Sequence, residues 1–234
     1  MKRSLREEKK YRLGINEAMN NSDRLEKVLK QDSHNGSNGY IIRSLYYDTP
    51  YDNDFFEKQA GVELRRKVRL RVYDPDDSFA MLELKQKQGS KQLKRSLKIS
   101  RDDAEKIAKC DYSPLLKYND SFAVEMYALM NCKCYRPCAI VQYYRKAFIA
   151  DENDTRITFD SQITATESCL DIFSNNLNLN PVLDSYDVIL EVKYNGFLLS
   201  YIKDILASID KSEIAVSKYV LSRHNAYLTS REKR

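Results

Sequence analysis

The feature that most constrains the fold is an alternation of aliphatic and basic residues from Val62 to Tyr73. Successive side chains of a β-strand point to opposite faces, so residues of the same parity share a surface. The even positions are aliphatic except for Arg66, and the odd positions include the cations Arg65, Lys67, Arg69 and Arg71. One face of the predicted strand is therefore apolar, and the other is strongly basic.

Three further segments, 79–87, 155–160 and 187–194, alternate in the same way. Their charged and polar positions include Glu83, Lys85, Lys87, Arg156, Thr158, Asp160, Asp187, Glu191 and Lys193. Like charges opposite one another destabilise paired strands, so a face of cations favours a bound polyanion that offsets their repulsion. For any one strand taken alone, an ordinary amphipathic strand with a solvated polar face remains the alternative.

The remaining pattern mixes strands and helices. Further strands are predicted at 41–48, 93–99 and 139–150, with 79–87 and 93–99 forming a hairpin around Gly89-Ser90. Helices are predicted at 16–31, 101–109, 121–130, 197–209 and 217–228, and Ser100 is positioned to cap the second of these. No linker, repeat or low-complexity tract interrupts the chain, so we expect a single domain over residues 1–234.

Composition limits the class of protein. The 39 Lys and Arg residues exceed the 34 Asp and Glu residues, giving a formal charge of +5, which alone is a weak indication of an anionic partner. No apolar run approaches the roughly 20 residues that a membrane span needs. The basic amino terminus lacks the apolar stretch of a secretory signal, and five cysteines do not form the even framework of a secreted disulfide scaffold. We therefore expect a cytoplasmic protein.

Other possible sites are less favoured by the sequence. Cys132, Cys134 and Cys138 lack the paired Cys-x2-Cys spacing of zinc sites, so we interpret them as reduced thiols on a strand edge. The two histidines, His34 and His224, are interpreted as surface or structural groups. The sequence contains no Gly-x4-Gly-Lys-Ser/Thr loop, which excludes a P-loop nucleotide site.

Eight short motifs, taken in chain order, carry a family resemblance. They are Arg6-x-Glu8-x-Lys10-Tyr11, Arg43-Ser44-Leu45-Tyr46-Tyr47-Asp48, Lys67-x-Arg69-x-Arg71, Leu82-Glu83-Leu84-Lys85, Tyr144-Arg145-x-Ala147-Phe148, Arg156-x-Thr158-x-Asp160, Glu191-x-Lys193 and Ser217-Lys218-Tyr219. Together they resemble the polyphosphate polymerase domain of the vacuolar transporter chaperone (VTC) family, in a stand-alone bacterial form. The resemblance spans essentially the whole chain.

That family belongs to the triphosphate tunnel metalloenzymes. The resemblance implies an α+β fold, an antiparallel β-barrel open at both ends with flanking α-helices and with the substrate held inside. Relatives in the adenylate cyclase and thiamine triphosphatase branch begin with a Glu-x-Glu-x-Lys motif, whereas this chain has Arg6 at the first position. This departure favours the polymerase branch.

The resemblance also implies site residues. The catalytic, phosphate-contacting cations would be Arg69, Arg71, Lys85, Arg145, Arg156 and Lys218. Further phosphate-binding cations would be Lys10, Arg43, Lys67, Lys87 and Lys193. Glu191 would bind the metal, Mn²⁺ or Mg²⁺, with Glu8 and Glu83 as further candidates. Taken without the other motifs, Ser217-Lys218 also fits a helix start with a solvated lysine.

The activity implied is transfer of the γ-phosphate of ATP to a growing polyphosphate chain. If water attacked instead, the same site would be a triphosphatase, and a non-catalytic module that binds polyphosphate is a third hypothesis. The implied partners are ATP and inorganic polyphosphate, and a membrane protein that exports the chain is an open question. We expect no nucleic acid, because the cations share strands with Glu83 and Glu191.

Overall fold

The computed structural model describes residues 6–89, 91–209 and 212–223. Within these residues the strands are β1 (Arg6–Gly14), β2 (Lys30–Gln31), β3 (Tyr40–Asp48), β4 (Leu64–Val72), β5 (Phe79–Gln88), β6 (Lys91–Ser100), β7 (Arg136–Ala150), β8 (Thr155–Thr166), β9 (Asn180–Pro181) and β10 (Asp187–Asn195). The α-helices are α1 (Ile15–Glu26), α2 (Asn53–Gln59), α3 (Arg101–Ala108), α4 (Ser121–Cys132) and α5 (Ser200–Ile205). Residues 218–223 are also helical.

Most predicted elements are confirmed to within a few residues. Ser100 caps α3 as expected, because its hydroxyl accepts a hydrogen bond from the backbone N–H of Asp103 at 3.2 Å. Helix α1 ends before the predicted boundary, because Lys30–Gln31 instead pairs with β7. The predicted helix at 217–228 is described only as far as residue 223, and the rest lies outside the described residues.

Strand β1 was not predicted, because it lacks an apolar face that alternates with its charges. Within the part of β1 whose side chains are described, Leu13 alone belongs to the buried core. Its place in a sheet comes from pairing with β10, which runs antiparallel along its whole length.

The sequence predicts one domain, and within the chain the contacts define two compact units. The first unit comprises the chain up to Ile41, Tyr143–Ile163 and Leu183–Ser217. The second unit comprises Ile42–Gln142, Thr164–Val182 and the chain from Lys218 onward. Each unit has its own cluster of buried hydrophobic side chains, so each can be described by itself.

In the first unit, β1 pairs with β10 and β10 pairs with β8, all antiparallel. The predicted apolar faces of β8 and β10 form its core with side chains from α1 and α5. The core residues of these four elements are Ile157, Phe159, Val188, Leu190, Val192, Tyr194, Ala18, Leu25, Ile202 and Ile205. Burial of each large aliphatic side chain stabilises the fold by about 1.5–3 kcal/mol. Because side chains alternate along a strand, the polar residues of β8 and β10 lie on the opposite face.

In the second unit, β3, β4, β5 and β6 pair in that order, again antiparallel. The apolar face that the alternation predicted for β4 and β5 is buried, and it shares a hydrophobic cluster with side chains of α3 and α4. The prediction was wrong at the start of the segment, where the side chains of Val62 and Leu64 are 41% and 61% exposed. The core therefore begins at Val68, and Leu64 lies where the hairpin extends beyond it.

None of the helices among the described residues has the length and apolar character needed to cross a membrane.

Candidate functional site

Strands β1 and β10 bring two glutamates and two lysines together in the first unit. Their register places Glu8 opposite Lys193 and Lys10 opposite Glu191. The ammonium of Lys10 lies 3.2 Å from Glu8 Oε1 and 3.3 Å from Glu191 Oε1, and Lys193 donates to Glu191 Oε2 at 2.7 Å. Lys10 also donates to the carbonyl of Val216 at 3.3 Å. We call Glu8, Lys10, Glu191 and Lys193 the carboxylate face.

Arg145 lies beside this face and is held by a buried aspartate. Its Nε and one terminal nitrogen donate to the two carboxylate oxygens of Asp160 at 2.6 and 2.7 Å. A terminal nitrogen of the same guanidinium lies 3.8 Å from Glu191. Burial opposes the charged form, yet Asp160, Tyr143 and Glu191 together raise the pKa of Arg145 well above its ordinary value. Arg145 therefore remains a cation of fixed orientation.

Arg156 is placed in the first unit by a different carboxylate. A terminal nitrogen donates to Asp32 at 2.8 Å and to the hydroxyl of Tyr40 at 3.1 Å. Asp32 also accepts from the backbone N–H of His34 at 3.1 Å. Burial favours the protonated acid, but the hydrogen bonds from His34 and the charge of Arg156 lower the pKa of Asp32.

In the second unit, a buried glutamate is surrounded by cations from neighbouring strands. Arg69 Nε donates to Glu83 Oε2 at 2.6 Å, Arg71 Nε lies 3.9 Å from the same oxygen, and Lys94 forms an ion pair with Glu83 Oε1. Burial alone would raise the pKa of Glu83, but the charges of Arg69, Arg71 and Lys94 hold it well below its ordinary value. Glu83 is therefore ionised and neutralises part of a strongly positive cluster.

The register of β4, β5 and β6 stacks lysines next to one another. Lys67 is opposite Lys85, and Lys85 is opposite Lys94, so three ammonium-bearing residues share one row across three strands. The next row holds Arg65 opposite Lys87. Like charges opposite one another destabilise a sheet unless an anion offsets them. We call Lys67, Arg69, Arg71, Glu83, Lys85 and Lys94 the arginine face.

Two stacked tyrosines adjoin the arginine face in the second unit. The rings of Tyr46 and Tyr219 lie 5.1 Å apart with an interplanar angle of 27°. The ammonium of Lys67 lies 5.7 Å from one ring centroid and 5.8 Å from the other, within reach of a cation–π interaction. Tyr219 donates its hydroxyl to Asp48 at 2.5 Å, which links two of the sequence motifs.

Lys218 directly precedes this tyrosine and begins the helix at 218–223. Lys218 is only 9% exposed. A solvated lysine at a helix start would be largely exposed, so the alternative interpretation of Ser217-Lys218 is wrong for the lysine.

Arg43 differs from the other proposed cations, because its contacts tie together backbone segments of the second unit. Its guanidinium donates to Gln142 Oε1 at 2.8 Å and to the carbonyls of Ile172 and Ser174 at 3.0 and 2.6 Å. Burial lowers the pKa of Arg43. These bonds commit the side chain to holding the 172–174 segment, and the structure does not bring it into the arginine face.

The donor set for a divalent metal ion is the pair Glu8 and Glu191. Both are carboxylates, the hard oxygen ligands that Mg²⁺ and Mn²⁺ prefer. The two lie close together, because both form an ion pair with the ammonium of Lys10. Among the described residues no group of three or more His, Cys, Asp or Glu side chains is arranged to hold a metal. An ion here would take its other ligands from water and phosphate oxygens, as Mg²⁺ commonly does. Glu83 fits poorly, since three cations surround it.

Cys132, Cys134 and Cys138 do not share a strand edge as predicted, because Cys132 ends helix α4 and Cys138 lies in β7. Cys132 and Cys134 are exposed, and Cys138 is buried with its thiol on the carbonyl of Tyr46, at 3.2 Å. His34 lies on the exposed loop after Asp32, and His224 lies outside the described residues.

Sequence reasoning missed Lys94 and the partner role of Asp160. The parity argument applies to β6 as well, since Leu93, Leu97 and Ile99 alternate with Lys94, Ser96 and Lys98, and it would have placed Lys94 on the basic face. Asp160 was predicted on the polar face of its strand. Its pairing with Arg145 could not be predicted, because it depends on which strand lies next to β8.

Comparisons with known proteins bear on the family and the fold. The family profile described as the VTC domain matches residues 5–227. A crystal structure from Vibrio parahaemolyticus, described as a candidate adenylate cyclase, has a TM-score of 0.52 at 14% sequence identity, covering 94% of this chain and 99% of that one. A candidate adenylate cyclase from Bacillus halodurans has a TM-score of 0.49 at 11% identity, covering 91% of this chain and 95% of that one. No curated protein sequence matches the chain.

The Vibrio structure is similar in fold, and it confirms the predicted α+β class, a large antiparallel sheet with flanking helices. The family profile covers nearly all of the sequence, including every motif on which the resemblance was based. The chain therefore belongs to the VTC domain family.

Proposed function

We propose that this protein is an ATP-dependent polyphosphate polymerase. The observation that supports it most is the arginine face, where Lys67, Lys85 and Lys94 occupy one row beside Arg69 and Arg71. Three of these five cations, Arg69, Arg71 and Lys94, lie within ion-pair distance of the buried carboxylate of Glu83. Such a concentration of guanidinium and ammonium groups is suited to a chain of phosphates.

The proposed reaction is a direct phosphoryl transfer. A terminal oxygen of the polyphosphate chain attacks the γ-phosphorus of ATP, and the bond from that phosphorus to the β,γ-bridging oxygen breaks. ADP leaves, and the chain is one phosphate longer. Phosphoryl transfer depends on positioning and charge neutralisation rather than on a protein nucleophile. Arg69 and Arg71 are suited to this task, because a guanidinium fork binds two phosphate oxygens at once.

Glu191 and Glu8 are the residues we assign to Mn²⁺ or Mg²⁺, which when bound would neutralise charge on the phosphate oxygens. In the structure Lys10 and Lys193 hold the carboxylate of Glu191 by ion pairs at 3.3 and 2.7 Å. Phosphate oxygens compete for these ammonium groups, because they also accept charge-assisted hydrogen bonds. Binding of a phosphate chain would thus release Glu191 from its lysines.

The test is to incubate the purified protein with ATP and Mn²⁺ or Mg²⁺, resolving the products by gel and assaying orthophosphate in parallel. A ladder of long polyphosphate is the expected result. Orthophosphate without a ladder would identify a triphosphatase, and binding of polyphosphate without ATP consumption would identify a non-catalytic module. Either result would overturn the proposal that the protein is a polymerase.

A matched pair of variants tests the metal assignment in the same assay. Glu191→Gln removes a carboxylate that is 5% exposed on the carboxylate face. Glu213→Gln removes one from the same unit that pairs with Lys9 at 2.9 Å and is 53% exposed. The first variant is expected to lose metal-dependent activity, and the second is expected to keep it.

A further inference from the structure

Thr158 carries a buried hydroxyl that the interactions described above do not use. The residue is 1% exposed, and its Oγ has no hydrogen-bond partner among the described residues. It lies on β8 at the polar parity, between Arg156 and Asp160, and the strand register places it directly opposite Glu191. Thr158 therefore shares one face of the sheet with the carboxylate that we assign to the metal.

A buried hydroxyl without a partner is unfavourable, because it loses its hydrogen bonds to water and gains none in the protein. Native proteins leave few polar groups in this state, and such groups call for an explanation. A ligand that arrives at the face and supplies the missing partner is one such explanation.

Thr155 carries a comparable buried hydroxyl that lies away from the carboxylate face. It belongs to the same strand, is 0% exposed, and its Oγ also lacks a partner among the described residues. It shares its parity with Ile157 and Phe159, whose side chains pack in the hydrophobic core of the first unit. The two threonines thus match in residue type, strand and burial, and differ in the face on which they lie.

We propose that Thr158 is a ligand-binding residue, whose hydroxyl bonds to an oxygen atom that arrives with the ligand beside Glu191. This oxygen belongs either to a phosphate or to a water molecule on the metal ion, and a hydroxyl can serve both because it donates and accepts. The proposal rests on the proposed function, since it takes the carboxylate face as the place where phosphate and metal bind.

The ion pairs of Glu191 bear on how this oxygen would reach Thr158. Lys10 and Lys193 lie against Glu191, one on each carboxylate oxygen. When phosphate draws these lysines away, the position next to Glu191 opens toward the neighbouring strand that carries Thr158. Arg145 stays in place, because both oxygens of Asp160 hold it.

The experiment compares Thr158→Val with Thr155→Val, each of which replaces a hydroxyl by a methyl group of similar size. Binding is measured for tripolyphosphate in the presence of EDTA, by calorimetry, and for Mn²⁺ alone, by paramagnetic resonance. Thr158→Val is expected to weaken at least one of the two by about tenfold, the loss of one hydrogen bond to a charged ligand. The arm that weakens identifies the source of the oxygen, and Thr155→Val is expected to leave both affinities unchanged.

Thermal unfolding without ligand separates this loss from damage to the fold. Both Val variants are expected to unfold at or above the wild-type temperature, because each removes an unsatisfied buried hydroxyl. Thr158→Ser retains the hydroxyl and is expected to bind as the wild type does.

Wild-type affinities in Thr158→Val for both ligands would overturn the inference, as would an equal loss in Thr158→Ser and Thr158→Val. If the wild-type protein bound neither tripolyphosphate nor Mn²⁺, the proposed function itself would fail, and this inference with it. The wild-type arm therefore distinguishes the two failures.

Discussion

Replacing Asp160 by Asn should destabilise the protein more than any change of a surface charge. Asp160 is 0% exposed and holds Arg145 with two hydrogen bonds of 2.6 and 2.7 Å. Asn keeps the size of the side chain but removes its charge. Arg145 stays protonated, because a guanidinium keeps its proton in a protein even without an ion-pair partner. The variant therefore leaves a buried cation that lies 3.8 Å from the carboxylate of Glu191.

The size of the effect follows from the burial of the pair. Breaking a buried ion pair by removing one partner costs about 3–5 kcal/mol, a large share of the roughly 5–15 kcal/mol by which proteins are stable. For a chain of this length, 1 kcal/mol shifts the unfolding midpoint by about 2–4 °C. The midpoint of Asp160→Asn, followed by circular dichroism, should therefore fall by roughly 10 °C.

Asp187→Asn is the matched control in the same unit. Asp187 pairs with Arg12, whose side chain is 57% exposed. Exposed pairs contribute about 0–1 kcal/mol, so this variant should shift the midpoint far less. If the two variants shifted the midpoint equally, the buried pair would not have the structural importance that we derive from its burial and geometry.

Three further predictions concern the two faces and a buried acid. Glu191→Gln should abolish Mn²⁺ binding in the presence of tripolyphosphate, measured by paramagnetic resonance, and unchanged binding would remove Glu191 from the metal site. Arg69→Met should weaken tripolyphosphate binding by about tenfold or more, measured by calorimetry, because a charge-assisted contact is lost. Arg65→Met, which removes a partly exposed cation bonded to the backbone carbonyl of Val62, should weaken it less, and equal losses would argue against the arginine face. Burial and the charge of Asp48 raise the pKa of Asp54 to about 8, so the folded state binds the extra proton and stability should fall as pH rises from about 4 to 8, by roughly 4 kcal/mol up to pH 7. Urea titrations should show this fall in the wild type and a smaller fall in Asp54→Asn, where Asp48 still has a pKa raised by burial. Identical profiles would contradict the assignment.

The faces of the strands could be predicted from the sequence because they depend on backbone geometry alone. Side chains alternate along any strand, so the buried face of β4 at Val68 and Leu70, and that of β10 at Val188 and Leu190, followed directly from parity. The same rule fails where a strand extends beyond its core, as it does at Leu64, since parity does not show where the core ends.

Contacts that depend on distant parts of the chain could not be predicted in this way. Arg43 was grouped with the phosphate-binding cations, but its guanidinium bonds to Gln142, Ile172 and Ser174, which lie about a hundred residues or more away in sequence. The two faces depend likewise on strand register, and a shift of one residue would turn every side chain of a strand to the opposite side.

The most direct test of the proposed activity follows the γ-phosphate itself. The wild-type protein would be incubated with ATP labelled at the γ-phosphate, Mn²⁺ and a short polyphosphate primer, and label in long chains, label in orthophosphate and released ADP would be measured together. The polymerase proposed here predicts that each ADP released is matched by one labelled phosphate in the chains. Release of ADP with all the label in orthophosphate would contradict it.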